Sequence, residues 1–187
     1  MNCVRWLLAA ALLPAGALAA ERPLKIDPTR SYVEVDVTTT LKNFTAHLDT
    51  YAVRMTADDS GKIKTAVLEF RFADLKTGDD GRNADLLKWM GGPDATGRFE
   101  LGILALAPDG QGQLTGKLTF HHETKLVEFS VNVDHTDATY TITGDPTIDY
   151  RDWKLKVFKR DFVLKVGPEL HIRFKFVATP DDAAARG

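Results

Sequence analysis

Residues 112–134 read "GQLTGKLTFHHETKLVEFSVNVD". Leu114, Leu118 and Phe120 fall on alternate positions of the first half, and Val127, Phe129, Val131 and Val133 on alternate positions of the second. A period of two lines one face of an extended strand with apolar side chains. The spacing therefore predicts two strands joined by a short hairpin connection over residues 122–125. Two histidines and a glutamate are also the residue types of a metal or acid–base site. Neighbouring residues on a strand project to opposite faces, however, so His121 and His122 are poorly placed to chelate one ion. A strong zinc pattern sets two histidines on one face with further ligands nearby, and that pattern is absent. His47, His135 and His171 are isolated in the sequence. The hairpin turn is the preferred reading, with no metal expected.

The same alternation recurs along the chain. "SYVEVDVTTT" sets Tyr32/Val33, Val35 and Val37 against Glu34 and Asp36, and "FTAHLDTYAVRMTAD" continues as one long extended run before the turn "DDSGK". "IKTAVLEFRFADL" puts Ala66, Leu68, Phe70 and Phe72 on one face. "ELGILALA", "ATYTITGDPTID", "FVLKV" and "LHIRFKFVAT" give further strands, the last with Ile172, Phe174 and Phe176 facing one way. Only "GDDGRNADLLKWM" has a helical pattern, with Leu86, Leu87 and Met90 following the cap-capable Asn83 and Asp85. About eight antiparallel strands with one short helical insertion predict an all-β barrel or sandwich. A closed barrel has the further merit of leaving no sheet edge exposed.

The ends and the composition bound the rest. Of 187 residues, 44% are hydrophobic and 27% charged, which suits one globular domain. Residues 1–20 carry Arg5, an apolar stretch and "ALA" at 17–19, the pattern of a cleavable secretory signal peptide. Residues 21–187 then form a single domain, expected in the periplasm. The only cysteine, Cys3, falls inside that leader, so the mature chain has no thiolate site and no disulfide. A domain of about 165 residues buries roughly 70% of its unfolded surface and can rely on its core. Losing Arg5 takes the net charge from −2 to −3, and no basic signature for nucleic acid is present.

Chemistry-bearing motifs are few. There is no nucleophile elbow; Ser31, Ser60 and Ser130 are the only serines, and Ser130 belongs to the outer face of its strand. Asp79, Asp80 and Asp85 surround the start of the helix, where carboxylates favour its positive end. No phosphate-cradling loop or dinucleotide fingerprint occurs, so neither a cofactor nor catalysis is expected. "YRDWKLKVFKR" interleaves Arg151, Lys154, Lys156, Lys159 and Arg160 with Tyr150, Trp153 and Phe158. It reads as a solvated strand face, or as a patch that holds an anionic head group or touches a membrane surface. Inside a barrel the apolar faces would meet. Barrels of about eight strands are either filled by side chains or hold one small ligand, with the filled core the default and a cavity the sharper alternative.

Four segments together resemble the YceI-like family of secreted polyisoprenoid-binding proteins: "IDPTRSYVEVDV", "ADLKTGDDGRNADLL", "GKLTFHHETKLVEFSV" and "TIDYRDWKLK". With their spacing they span Ile26 to Ala178, and Leu118–His121 followed by Thr124 and Lys125 is the most specific match. His122 stands where that family usually has glycine, "MGGPDATGRF" replaces its usual segment after the helix, and "RDWKL" lacks its usual glycine. The chain is thus similar to a divergent member. The resemblance implies an eight-stranded antiparallel lipocalin-like barrel with a short helical insertion. It implies that a long-chain isoprenoid or related amphiphilic lipid is bound inside, not that a reaction is catalysed. Leu68, Phe70, Phe72, Leu118, Phe120, Phe129, Val131, Ile172, Phe174 and Phe176 are the expected interior contacts, and Trp89, Arg151, Trp153 and Lys154 the mouth or head-group contacts. A homodimer and peripheral membrane contact stay open. The competing expectation is a filled barrel serving as a stress-related structural or interaction protein without a lipid.

Overall fold

The computed structural model describes residues 21–160 and 163–181; the expected signal peptide, residues 1–20, lies outside the described residues. In chain order the strands are β1 (Arg22–Ile26), β2 (Tyr32–Thr39), β3 (Phe44–Leu48), β4 (Tyr51–Ala57), β5 (Ile63–Arg71) and β6 (Leu75–Lys76). After the helix α1 (Asp80–Met90) come β7 (Thr96–Leu106), β8 (Gln111–Phe120), β9 (Glu123–Thr136) and β10 (Thr139–Gly144). The chain ends with β11 (Thr147–Asp149), β12 (Lys159–Arg160) and β13 (Leu164–Pro180).

These segments make a closed antiparallel barrel of eight staves among the described residues. β1 and β2 run along the same edge of β13, β3 and β4 form the next stave, and β5 with β6 the third. β7, β8 and β9 follow in order, β10 with β11 comes next, and β13 closes the ring by pairing with both β10 and β1–β2. The gap between β1 and β2 is bridged. The Asp27 N–H donates to the Val177 carbonyl (2.8 Å), and the Val177 N–H donates to the Ser31 hydroxyl (2.9 Å). Every stave pairs on both sides, so the ladder has no long open edge.

Two local expectations need correction. The run 44–58 is not one strand: it breaks at Asp49 and Thr50, where Asp49 N–H bonds to the Asp74 carbonyl (3.0 Å). The hairpin connection is also shorter than residues 122–125. Phe120 pairs with Glu123, leaving only His121 and His122 in the turn. Both adopt left-handed backbone (φ 48° and 62°), the two-residue geometry whose twist matches that of the flanking strands.

α1 starts at least one turn earlier than its candidate caps. Asp79, not Asn83 or Asp85, is the N-cap, and its carboxylate accepts from Arg82 N–H (2.8 Å). The Asn83 side-chain oxygen instead accepts from the amide and hydroxyl of Thr77 (both 2.9 Å). Gly91 ends the helix at φ 99°, a conformation that costs glycine little. Leu86, Leu87 and Trp89 then pack on a cluster of Phe72, Met90, Phe120, Tyr150, Trp153 and Leu155. A second cluster around Leu24, Met55, Ile63, Val133, Tyr140 and Ala178 fills the opposite end of the barrel.

Candidate functional site

Between the two clusters the barrel is hollow. A cavity of about 480 Å³ lies inside it, within the range of roughly 300–1,000 Å³ that holds a small ligand. Its wall includes Leu68, Phe70, Phe72, Leu118, Phe120, Phe129, Ile172, Phe174 and Phe176, all expected inside, although Phe72 stands not in a strand but at the start of a 3-10 turn, Phe72–Asp74. Val131 is not on that wall. It is buried opposite Gly112 on one neighbouring strand and Gly144 on the other, away from the hollow. Val33, Val35, Val37, Phe99 and Ile142 also line the cavity. The alternation of "YVEVDV" had marked the three valines as one strand face, so they were within reach of the same reasoning.

The hollow survives because several rings lie against the wall instead of across the lumen. A Cβ on Gly97 would stand 2.2 Å from the Phe70 ring, and one on Gly144 would stand 2.6 Å from the Phe174 ring. Both are directly opposed pairs in the ladder, Phe70 with Gly97 and Phe174 with Gly144. Each ring therefore occupies the space that a side chain on the facing strand would fill.

Polar groups gather at one end only. Thr39, Lys42, Thr77, Asp79, Arg82, Asp85 and Arg160 border the cavity where the β2–β3 loop, α1 and β12 meet. Leu41, Lys42 and Arg160 are exposed and also border the cavity, so it opens to solvent there. The Arg82 guanidinium stands 4.5 Å over the Phe44 ring and donates to the Thr77 carbonyl (2.9 Å). Arg160 donates to Asp85 (2.9 Å). Sequence reading missed Arg82 and Lys42, since nothing in their local pattern shows that separate loops converge on one mouth.

The four residues expected at the mouth divide differently. Trp89 does border the cavity, edge-on to Tyr150 at 4.9 Å, with its indole N–H donating to the Lys156 carbonyl (2.9 Å). Trp153, Arg151 and Lys154 do not. Trp153 is 2% exposed and lies one layer behind the wall, stacked on Phe120 at 4.5 Å, with its N–H donating to the Leu118 carbonyl (3.0 Å). Arg151 turns back to Asp149 (2.9 Å), and Lys154 reaches Glu123 (2.6 Å). Those ion pairs hold the carboxyls of Asp149 and Glu123 below their usual range, chiefly through the hydrogen bonds from Arg151 and Lys154. The segment 150–154 is thus a strap fixed to the β8–β9 hairpin, outside the cavity wall except for Tyr150. His121 belongs to the same strap contact, its Nδ1 lying 3.1 Å from the Trp153 carbonyl oxygen.

What the site can do follows from this division of polarity. Below the rim the wall is hydrocarbon and aromatic, apart from the Tyr150 hydroxyl, which donates to the Val166 carbonyl (3.2 Å). Burial pushes the Tyr150 phenol further up, so it stays neutral at ordinary pH. Among the described residues no three His, Cys, Asp or Glu side chains are grouped to hold a metal. The arrangement suits an apolar chain inside and a polar end at the rim.

A YceI-like domain matches residues 24–178, and the chain belongs to that family. It is similar in fold to Burkholderia cenocepacia BcnA, with 22% identity, TM-score 0.69, and coverage of 83% of this chain and all (100%) of that one. A polyisoprenoid binding domain from Saccharophagus degradans implicated in plant cell wall breakdown has 14% identity and TM-score 0.65, covering 87% and 99%. The YCEI protein of Campylobacter jejuni has 14% identity and TM-score 0.64, covering 76% and 88%. No curated protein matches the chain.

Proposed function

We propose that the protein is a periplasmic binding protein for a long-chain isoprenoid or related amphiphilic lipid, and that it has no catalytic role. The tail lies in the barrel and the polar end meets Lys42, Arg82 and Arg160 at the rim. The observation that carries this is the hollow of about 480 Å³ with an apolar wall and its polar groups confined to one open end. A filled barrel would have left no such space. Membership of the YceI-like family supports the same reading, and the leader pattern of residues 1–20 supports the location. Burial of apolar surface, at about 25 cal/mol per Å² before ordering costs, supplies the affinity.

Val35 tests the reading without removing any core packing. It lines the hollow on β2, between Ala46 of β3 and Ile172 of β13. Val35→Trp places an indole where the tail is proposed to run. The expected result is a folded protein whose uptake of cis-parinaric acid, measured by fluorescence, falls at least about tenfold. Unchanged uptake by the folded variant would place the ligand elsewhere.

A further inference from the structure

The open end carries a second feature that lipid binding does not require. Leu41, in the β2–β3 loop, is 64% exposed, and Val163, just before β13, is 63% exposed. They sit on neighbouring loops that are bonded together. The Thr40 hydroxyl donates to the Val163 carbonyl (2.6 Å), and the Thr40 N–H donates to the Lys165 carbonyl (3.1 Å). Within the first loop, Thr39 Oγ1 accepts the N–H groups of Leu41 (3.2 Å) and Lys42 (3.0 Å). The backbone that carries the two exposed aliphatic side chains is therefore fixed by hydrogen bonds.

The charges described in the two loops are of one sign, while α1 brings Asp79 and Asp85 to the same mouth. Lys42, Lys159, Arg160 and Lys165 are the charged residues described in the two loops, and the only carboxylate in the sequence of residues 39–43 and 158–165 is Asp161, outside the described residues. Among the described residues Lys42, Lys159 and Lys165 make no ion pair, while Arg160 pairs with Asp85 (2.9 Å). The whole chain carries −2, so the basic charge of these two loops runs against the overall balance. Apolar tips flanked by lysines match the interfacial region of an anionic bilayer, where the side chains enter the acyl boundary and the ammonium groups stay with the head groups.

We infer that this rim docks the barrel on an anionic membrane surface, with the mouth of the cavity facing the lipid. The inference goes beyond lipid binding and is tested separately from it. The full mature chain is floated with vesicles of phosphatidylethanolamine and phosphatidylglycerol, and with vesicles of phosphatidylcholine alone. Expected are binding to the first set only, and its weakening as ionic strength rises from ~0.1 to ~1 M. Leu41→Asp with Val163→Asp, and independently Lys159→Glu with Lys165→Glu, each lower the bound fraction at least about tenfold. Ile103→Asp, an exposed position on β7 toward the opposite end, behaves as the parent, which separates the rim from general stickiness. Circular dichroism confirms that each variant is folded. Absence of binding to anionic vesicles at low salt, or binding by both rim variants equal to that of the parent, overturns the inference. So does a parent that sediments as a dimer without vesicle binding and becomes monomeric on Val163→Asp, because the rim would then seat a second copy.

Discussion

Gly97 is the residue on which the hollow interior depends most directly. Its missing Cβ lets the Phe70 ring lie flat against β7, with ring atoms 2.2–2.8 Å from where that carbon would be. Gly97→Ala therefore pushes the ring toward the lumen. The expected cost is about 1–3 kcal/mol by urea denaturation, together with weaker cis-parinaric acid uptake. A neutral substitution would mean that the ring has room to move elsewhere. His122 offers the opposite sign. At φ 62° it holds a conformation that L side chains adopt at a penalty, in a position where glycine would be at ease. His122→Gly is expected to stabilise the fold by about 0.5–1 kcal/mol in the same assay, the relief of strain exceeding the added entropy of the unfolded chain. Keeping His121 preserves its contact with the Trp153 carbonyl.

At the scale of elements, the strap of residues 150–154 and the outward ion-pair rows decide different properties. Trp153 joins the strap to β8 by a stacked ring and an indole hydrogen bond. Trp153→Ala should cost about 3–5 kcal/mol in chemical denaturation, the scale of a fully buried tryptophan. Trp153→Phe should stay folded and still take up ligand, since Trp153 does not line the cavity; loss of uptake by that folded variant would restore a binding role. Outside the barrel, carboxylates on neighbouring strands are held ionised. The side-chain hydrogen bond from Arg173 is the main cause that lowers the Asp36 carboxyl, and the one from Arg54 does the same for Glu69. Groups with lowered folded pKa values stabilise above the ordinary carboxylate range near pH ~4, and that stability is lost as pH falls through the lowered values. Tm should thus be level at neutral pH and drop below about pH 4, with Asp36→Asn flattening the acid limb. The pairs are surface-exposed and individually small, so the slope matters more than the depth.

At the scale of the molecule, strand alternation made most of the barrel and nine of its expected interior residues legible. In an extended strand side chains at i and i+2 share a face, so Leu68 with Phe70, and Ile172 with Phe174 and Phe176, could be read off directly. Val131 shares a face with Phe129 yet misses the hollow, because depth along a stave is set by ladder register, which alternation does not contain. Trp153 and Lys154 misled for a related reason. Basic and aromatic residues in sequence suggest a head-group site, but the partners that engage them, Phe120 and Glu123, lie far upstream, Glu123 by 31 residues from Lys154. The real mouth, with Lys42, Arg82 and Arg160, is assembled from three separated segments. Only the closed topology brings those segments together.

Native mass spectrometry of the protein released gently from its own cells tests the central claim most directly. The account predicts a folded protein carrying an adduct with the mass of a long-chain isoprenoid or related amphiphile, lost on extraction with organic solvent and absent from Val35→Trp. A clean apo mass that persists after incubation with such lipids would contradict it, leaving the apolar hollow without the ligand proposed for it.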